Sequence, residues 1–164
     1  MPNWCEGTIK IRGKRDNILA FFRKGINVYK HNFDDPDNPI VEDRELWYKE
    51  TEFGSDIEIE IKEDCYIEGT RRAFLEAQTV ELYDKETVTV TFNAKQAWSF
   101  LVDQFVSIAK EFNIDIRGFG IECGMKFCQE FEIVTKDGET TTTIDEVIRY
   151  DDWEWECPFP HMGG

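Results

Sequence analysis

The chain has 164 residues, 41% of them hydrophobic and 14% aromatic, enough apolar material for a single domain to bury one core without staples. Against 19 basic residues stand 34 acidic ones, a net charge of -15 that repels a polyanion and so disfavours direct nucleic-acid binding. Five scattered cysteines without a basic-then-apolar leader argue for a reducing cytosol, and no apolar run reaches the roughly 20 residues of a membrane helix.

The first run, Thr8-Ile9-Lys10-Ile11-Arg12, alternates polar and apolar side chains and predicts a strand with one buried face. Counting back in twos places Gly7 and Cys5 on that face, so Cys5 is expected in the core. Asp16 can then cap a helix carrying Ile18, Leu19, Phe22 and Ile26, with Gly25 near its stop. Residues 1–30 hold seven Lys or Arg against Glu6 and Asp16, a local +5 that leaves -20 for the remainder.

From about 27 to 54 the periodicity fails and DDPDNP supplies turn chemistry, so a long loop is expected, with Tyr29, Phe33, Trp47, Tyr48 and Phe53 packing it or binding a partner. DIEIEIK follows as the cleanest strand, with Ile57, Ile59 and Ile61 inward and Asp56, Glu58, Glu60 and Lys62 outward. A short strand around Cys65 to Glu68 is expected to pair back with it, and Arg71 to Gln78 to form a brief helix. ELYDKETVTVTF predicts a hairpin turning at Asp84-Lys85, with Val88, Val90 and Phe92 inward. Residues 99–112 give the strongest helix. Strands at 114–122 and 126–134 follow, the second turning at Asp137-Gly138 into a threonine strand.

One helix per group of strands, too few for parallel crossovers, implies an α+β fold: a ferredoxin-like arrangement with two main helices on one face of a mainly antiparallel sheet. The whole of 1–164 is expected to be one domain with an acidic, aromatic tail from about 150. In that tail, YDDWEWECPFPHMGG, an extended backbone would put Trp153 and Trp155 on one face and Asp152, Glu154 and Glu156 on the other. Such a pair packs on its own domain or forms a partner-binding strip.

No residue set carries catalysis. The histidines are His31 and His161, one in the long loop and one in the tail. Cys123 and Cys128 flank a glycine turn, a spacing wider than zinc pairs use and without a matching second pair, so no metal or other cofactor is expected. The glycines of RGFGIECG lie within or after a strand with no helix to follow, and mark bulges or close backbone approach rather than a phosphate loop. Ser55, Ser99 and Ser107 stand in no nucleophile elbow. An enzyme is therefore disfavoured.

Two segments together carry a family resemblance. MPNWC before a short strand, and FNAKQAWSFLVDQFVSIAKEF running into IRGFGIECGMKFCQEFEI, resemble the phage- and plasmid-borne YubB-like proteins with a ferredoxin-like domain. The matching positions are Asn3, Trp4, Cys5, Trp98, Glu122, Gly124 and Phe127, and the likeness covers about half the chain. It implies a ferredoxin-like fold and a mobile-element origin, and no established activity. On that basis Asn-Trp-Cys is a structural signature, with Cys5 facing the core, Trp4 covering an edge and Asn3 bonding the backbone where the strand begins.

Charge and implied origin together lead to a small interaction protein that binds a host protein, a nucleic-acid-binding defence enzyme, and blocks it by mimicry, leaving the partner's identity and the oligomeric state open. Asp56, Glu58 and Glu60 form an outward row at about 6.6 Å steps, a scale comparable to that of phosphates along a strand. Trp153 and Trp155 are the second candidate surface. One alternative is a single-stranded nucleic-acid module using the basic N-terminal region and exposed aromatics. The other is a hydrolase with magnesium or manganese among carboxylates.

Overall fold

The computed structural model describes residues 3–30, 40–41, 48–50, 55–62 and 65–156. In chain order come β1 (Trp4–Lys14), α1 (Arg15–Ala20) and a π-helical turn (Phe21–Gly25), then β2 (Ile26–Lys30), β3 (Ile40–Val41), β4 (Tyr48–Glu50), β5 (Ile57–Ile61), β6 (Cys65–Ile67), β7 (Ala73–Leu75) and β8 (Gln78–Leu82). The remainder is β9 (Thr87–Ala97), α2 (Val102–Phe112), β10 (Asp115–Glu122), β11 (Phe127–Lys136) and β12 (Glu139–Arg149). Nine strands form the main sheet in the order β12-β11-β10-β1-β9-β7-β6-β2-β3, and β4-β5-β8 form a second one. Every ladder is antiparallel.

The ferredoxin-like expectation is corrected: the protein is mostly antiparallel β with two short helices and two sheets, not a sheet carrying two main helices on one face. α1 has only six residues, because Phe21 and Phe22 must both enter the core. The wider π turn allows two successive side chains to do so, and both rings then meet Phe92. Asp16 lies inside the first turn and Lys14 is the N-cap, so the aspartate favours the helix through its dipole and not as a cap.

Three further expectations change. Within 71–78, where a brief helix was expected, Ala73–Leu75 form β7 and Gln78 begins β8, because Ala73 and Leu75 are both buried against β9 at positions Gln96 and Ala94. β6 pairs with β2 and β7 rather than with β5. The segment 27–54 opens with β2 and contributes β3 and β4; Phe33, Trp47 and Phe53 lie outside the described residues.

The Asp84-Lys85 turn does not close a hairpin ladder. β8 pairs with β5 while β9 pairs with β1 and β7. Gln78 explains the separation: its Nε2 donates to the Asn93 carbonyl at 3.2 Å, and its Oε1 accepts the Asn93 N–H at 3.1 Å. A side-chain amide thus occupies the place of a pairing residue on β9, and β8 is left to the second sheet.

Leu101, the N-cap of α2, makes no side-chain capping bond; instead the buried Gln96 Oε1 accepts the Leu101 N–H at 2.9 Å. Gln129 makes two bonds to the Phe100 backbone, at 2.9 and 2.8 Å. Asn113, at φ 51°, closes the helix in the left-handed conformation. The buried side of α2, with Phe105, Ile108, Ala109 and Phe112, covers the sheet, where Phe105 meets Phe100 and Phe131.

β1 and β10 approach closely at Gly7 opposite Gly120. A Cβ on Gly7 would stand 1.9 Å from the Phe119 carbonyl oxygen, while the space beside Gly120 is filled by Cys5 Sγ and the Phe100 ring. The glycines of the RGFG stretch, expected to mark bulges or close backbone approach, instead make room for side chains: the Phe131 ring at Gly118, and Cys5 and Phe100 at Gly120. Gly7→Ala should lower stability by about 3 kcal/mol or more, since the obstacle is backbone and cannot rotate away. Urea denaturation is the measurement, with Gly138→Ala as a milder comparison, because that residue has only its φ of 82° against it.

Candidate functional site

β5 is the central strand of the second sheet, so its outward residues have cross-strand neighbours on both sides. Glu58 lies directly opposite Glu81 on β8, and Glu60 opposite Thr79; on the other side β4 brings Lys49 to the register position facing Glu58. Like charges directly across a pair are unfavourable. Glu60 and Glu81 are exposed and Glu58 is half-buried. Tyr83 donates its O–H to Glu81 at 2.9 Å, and that bond, with the glutamate's charge, raises the tyrosine pKa. Lys85 stands over the same ring at 5.7 Å.

A shallow groove runs along this face between the two sheets, lined by Glu58, Thr79, Glu81, Tyr83, Thr89 and Thr91. Asp56 plays a different part from its neighbours. Its Oδ1 accepts the Asp84 N–H at 2.5 Å, so the carboxylate holds the β8–β9 turn. Of the expected row, Glu58 and Glu60 belong to the open acidic surface, Asp56 supports it, and Glu81 joins it from β8. The signal for Glu81 was its place in the alternating ELYDKETVTV run, concealed by the hairpin expectation.

The tryptophan strip does not form. Residues 151–154 make a turn in which Asp151 Oδ1 accepts the N–H groups of Trp153 and Glu154, both at 2.9 Å, and Trp155 N–H reaches the Asp151 carbonyl. Trp155 folds back on Tyr150 with ring centroids 5.5 Å apart, while Trp153 is 93% exposed. The two indoles therefore have separate environments. Pro158, Pro160 and His161 lie outside the described residues.

The solvent face of the main sheet gathers cations from three strands: Lys10 and Arg12 on β1, Lys95 on β9 and Arg117 on β10. Arg12 pairs with Asp115 at 2.6 Å, Arg117 pairs with Glu130 and at 3.8 Å with Glu132, and Lys95 stands 5.4 Å over Trp4. The first of these acids comes from β10 and the other two from β11. Of the cations in residues 1–30, Arg12 is thus answered by an acid once the sheet forms.

Asn3, Trp4, Trp98, Glu122 and Gly124 converge at one end of β1. Asn3 accepts the Trp98 N–H through its carbonyl at 2.8 Å, and its side-chain amide lies where a Cβ on Gly124 would be. Buried Glu122 accepts from the Gly124 N–H at 2.9 Å and from the Met125 N–H. Trp4 packs edge-on against Phe74 within the sheet, since β1 is a central strand and not an edge. Trp98, 47% exposed, holds φ at 74°, an unusual backbone for a bulky residue. These are structural roles, and they account for the Asn-Trp-Cys opening.

Among the described residues no group of three or more His, Cys, Asp or Glu could hold a metal ion. Cys5 and Cys65 are buried and Cys123 and Cys128 half-buried; His31 and Cys157 lie outside the described residues. No helix among the described residues is long and apolar enough to cross a membrane. Comparison with protein-family models, characterised proteins and solved structures finds no match.

Burial pushes the Cys5 thiol up to about 12, with the charges of Glu122 and Glu6 adding and a hydrogen bond with the Phe100 backbone opposing. Below about pH 9 the thiol is protonated whether the chain is folded or not. Between about 9 and 12 the unfolded chain releases a proton that the folded one keeps, so stability falls as pH rises. The Cys5 part of that slope approaches about 1.4 kcal/mol per pH unit. Unfolding of wild type and Cys5→Ala across this range should show a shallower slope in the variant, and Cys5 should resist alkylation until the protein is denatured.

Proposed function

We propose that this is a small acidic interaction protein whose outer second-sheet face docks on a basic surface of a partner. The direct opposition of Glu58 and Glu81 carries the reading. Two carboxylates at neighbouring cross-strand positions weaken the sheet that bears them, and a cationic partner surface converts that repulsion into attraction. Glu60 extends the patch along β5 at about 6.6 Å from Glu58, and the groove beside Thr89 and Thr91 admits long basic side chains.

Basic grooves with this demand for spaced negative charge are the grooves that hold nucleic acid, so the partner class is a nucleic-acid-binding protein. The likeness to the YubB-like proteins implies a mobile-element origin, which makes a host defence protein the target and blockade by mimicry the effect. A single-stranded nucleic-acid module on the main-sheet face is the weaker reading, because Arg12 and Arg117 are committed to Asp115, Glu130 and Glu132.

Glu58→Gln should raise stability by about 0.5 kcal/mol, read from the urea midpoint, since it removes the like-charge pair. For binding, Glu58→Lys, Glu60→Lys and Glu81→Lys are combined and Asp56 is left in place to hold its turn. Wild type and triple variant are compared as baits in nuclease-treated host lysate, with DNA and RNA added back as competitors. The wild type should retain a nucleic-acid-binding protein that the variant loses and that nucleic acid displaces. Equal retention by the variant, or indifference to added nucleic acid, would refute the mimicry.

A further inference from the structure

The main sheet ends at β12, an eleven-residue strand whose outer edge no described strand covers. Long regular edges are normally blunted by lysine, proline or bulges. β12 has one such interruption, a register shift between Glu132 and Ile133 of β11 that leaves Thr143 as an extra residue. Beyond it, Ile144-Asp145-Glu146-Val147-Ile148-Arg149 is regular and contains neither lysine nor proline. Val147 and Ile148 are 46% and 53% exposed.

One bond fixes which backbone groups point outward. Tyr150 N–H donates to the Lys126 carbonyl at 2.9 Å, which makes that position a hydrogen-bonded pair continuing the β11–β12 register. Hydrogen-bonded pairs alternate along an antiparallel ladder, so Ile148, Glu146 and Ile144 turn their amides to β11. Asp145, Val147 and Arg149 therefore direct theirs to the open edge.

The geometry points to a second copy of this chain as the occupant of that edge, paired antiparallel about a two-fold axis at Val147. In this register Asp145 faces the partner's Arg149 and Arg149 faces the partner's Asp145, with Val147 against the partner's Val147 between them. Each opposition is a hydrogen-bonded pair, and both opposite-charge contacts occur twice by symmetry. Neighbouring registers lose this match: an axis at Glu146 or Asp145 sets a carboxylate against its own copy, an axis at Arg149 does the same with guanidinium groups, and an axis at Ile148 sets Asp145 against Asp151. The Thr143 bulge confines the pairing to the regular half of the strand. Charge complementarity thus selects one register of self-association, in which two main sheets join edge to edge.

Sedimentation equilibrium of the full chain should show a species of twice the 19.3 kDa chain mass, and each of Asp145→Arg and Arg149→Asp should weaken the dimer at least tenfold by creating like-charge oppositions. Combining the two reversals should restore it. Val147→Cys gives an independent reading: facing residues of a hydrogen-bonded pair have Cα atoms about 5.5 Å apart, within disulfide reach. Mild oxidation should yield a dimer linked at position 147 by peptide mass mapping, with Glu139→Cys, beyond the bulge, left unlinked at 139. All these side chains are exposed, and circular dichroism should show the fold retained. A wild type monomeric at every concentration, a dimer indifferent to Asp145→Arg, or a double reversal that fails to rescue would each overturn the proposal.

Discussion

The two bonds between the Gln78 side chain and the Asn93 backbone decide the architecture. β9 is eleven residues long and pairs with β1 along its whole length, but on its other side β7 reaches only Ala94 to Gln96. A backbone edge left open there would attract the next strand in sequence, β8. Gln78, presenting an amide donor and acceptor, and the Glu76 N–H together satisfy Asn93, and β8 goes on to pair with β5. The second sheet, its outward glutamates and the groove beside them all follow from that diversion.

The same device recurs where the chain leaves β9. Gln96 and Gln129, both buried, give their amides to the backbone around Phe100 and Leu101 and so lead the chain into α2 without a conventional cap. Buried amides are costly when unsatisfied and directional when satisfied, which makes them effective at fixing connections that apolar packing alone would leave loose. Electrostatics is likewise organised by pairing: on the main-sheet face Arg12 and Arg117 reach acids although Lys10 stands opposite Arg117 and Glu130 opposite Glu146, and the second-sheet face sets Glu58 against Glu81. Like-charge oppositions therefore occur on both faces: Arg117 answers Glu130 on the main sheet, and Lys49 takes the register position on the other side of Glu58 on the second.

What the sequence disclosed was local periodicity. DIEIEIK, TVTVTF and the helix before Phe112 alternate or repeat as their elements require, and counting in twos correctly buries Cys5. The Asp137-Gly138 turn was equally legible, because both residues have positive φ, 54° and 82°, as a tight hairpin of this kind demands. Partnership was not legible. Nothing in the alternation of ELYDKETVTVTF says whether β8 lies against β9 or β5, and the helix-favouring run around Phe74 yields to a pairing with residues some twenty positions later. At the site, outward-facing Glu58 and Glu60 could be read from period two, but Asp56's bond to the turn and Glu81's arrival depend on that same partnership.

The ladder geometry also constrains how the chain acquires its structure. β1 pairs on one side with residues 87–97 and on the other with residues 115–121, so an early strand waits for much later partners. Contacts of β1 with α1 can form early, but its ladders must wait for the long loop to β9 to close. Topologies dominated by such non-local pairings fold more slowly than those built from local contacts.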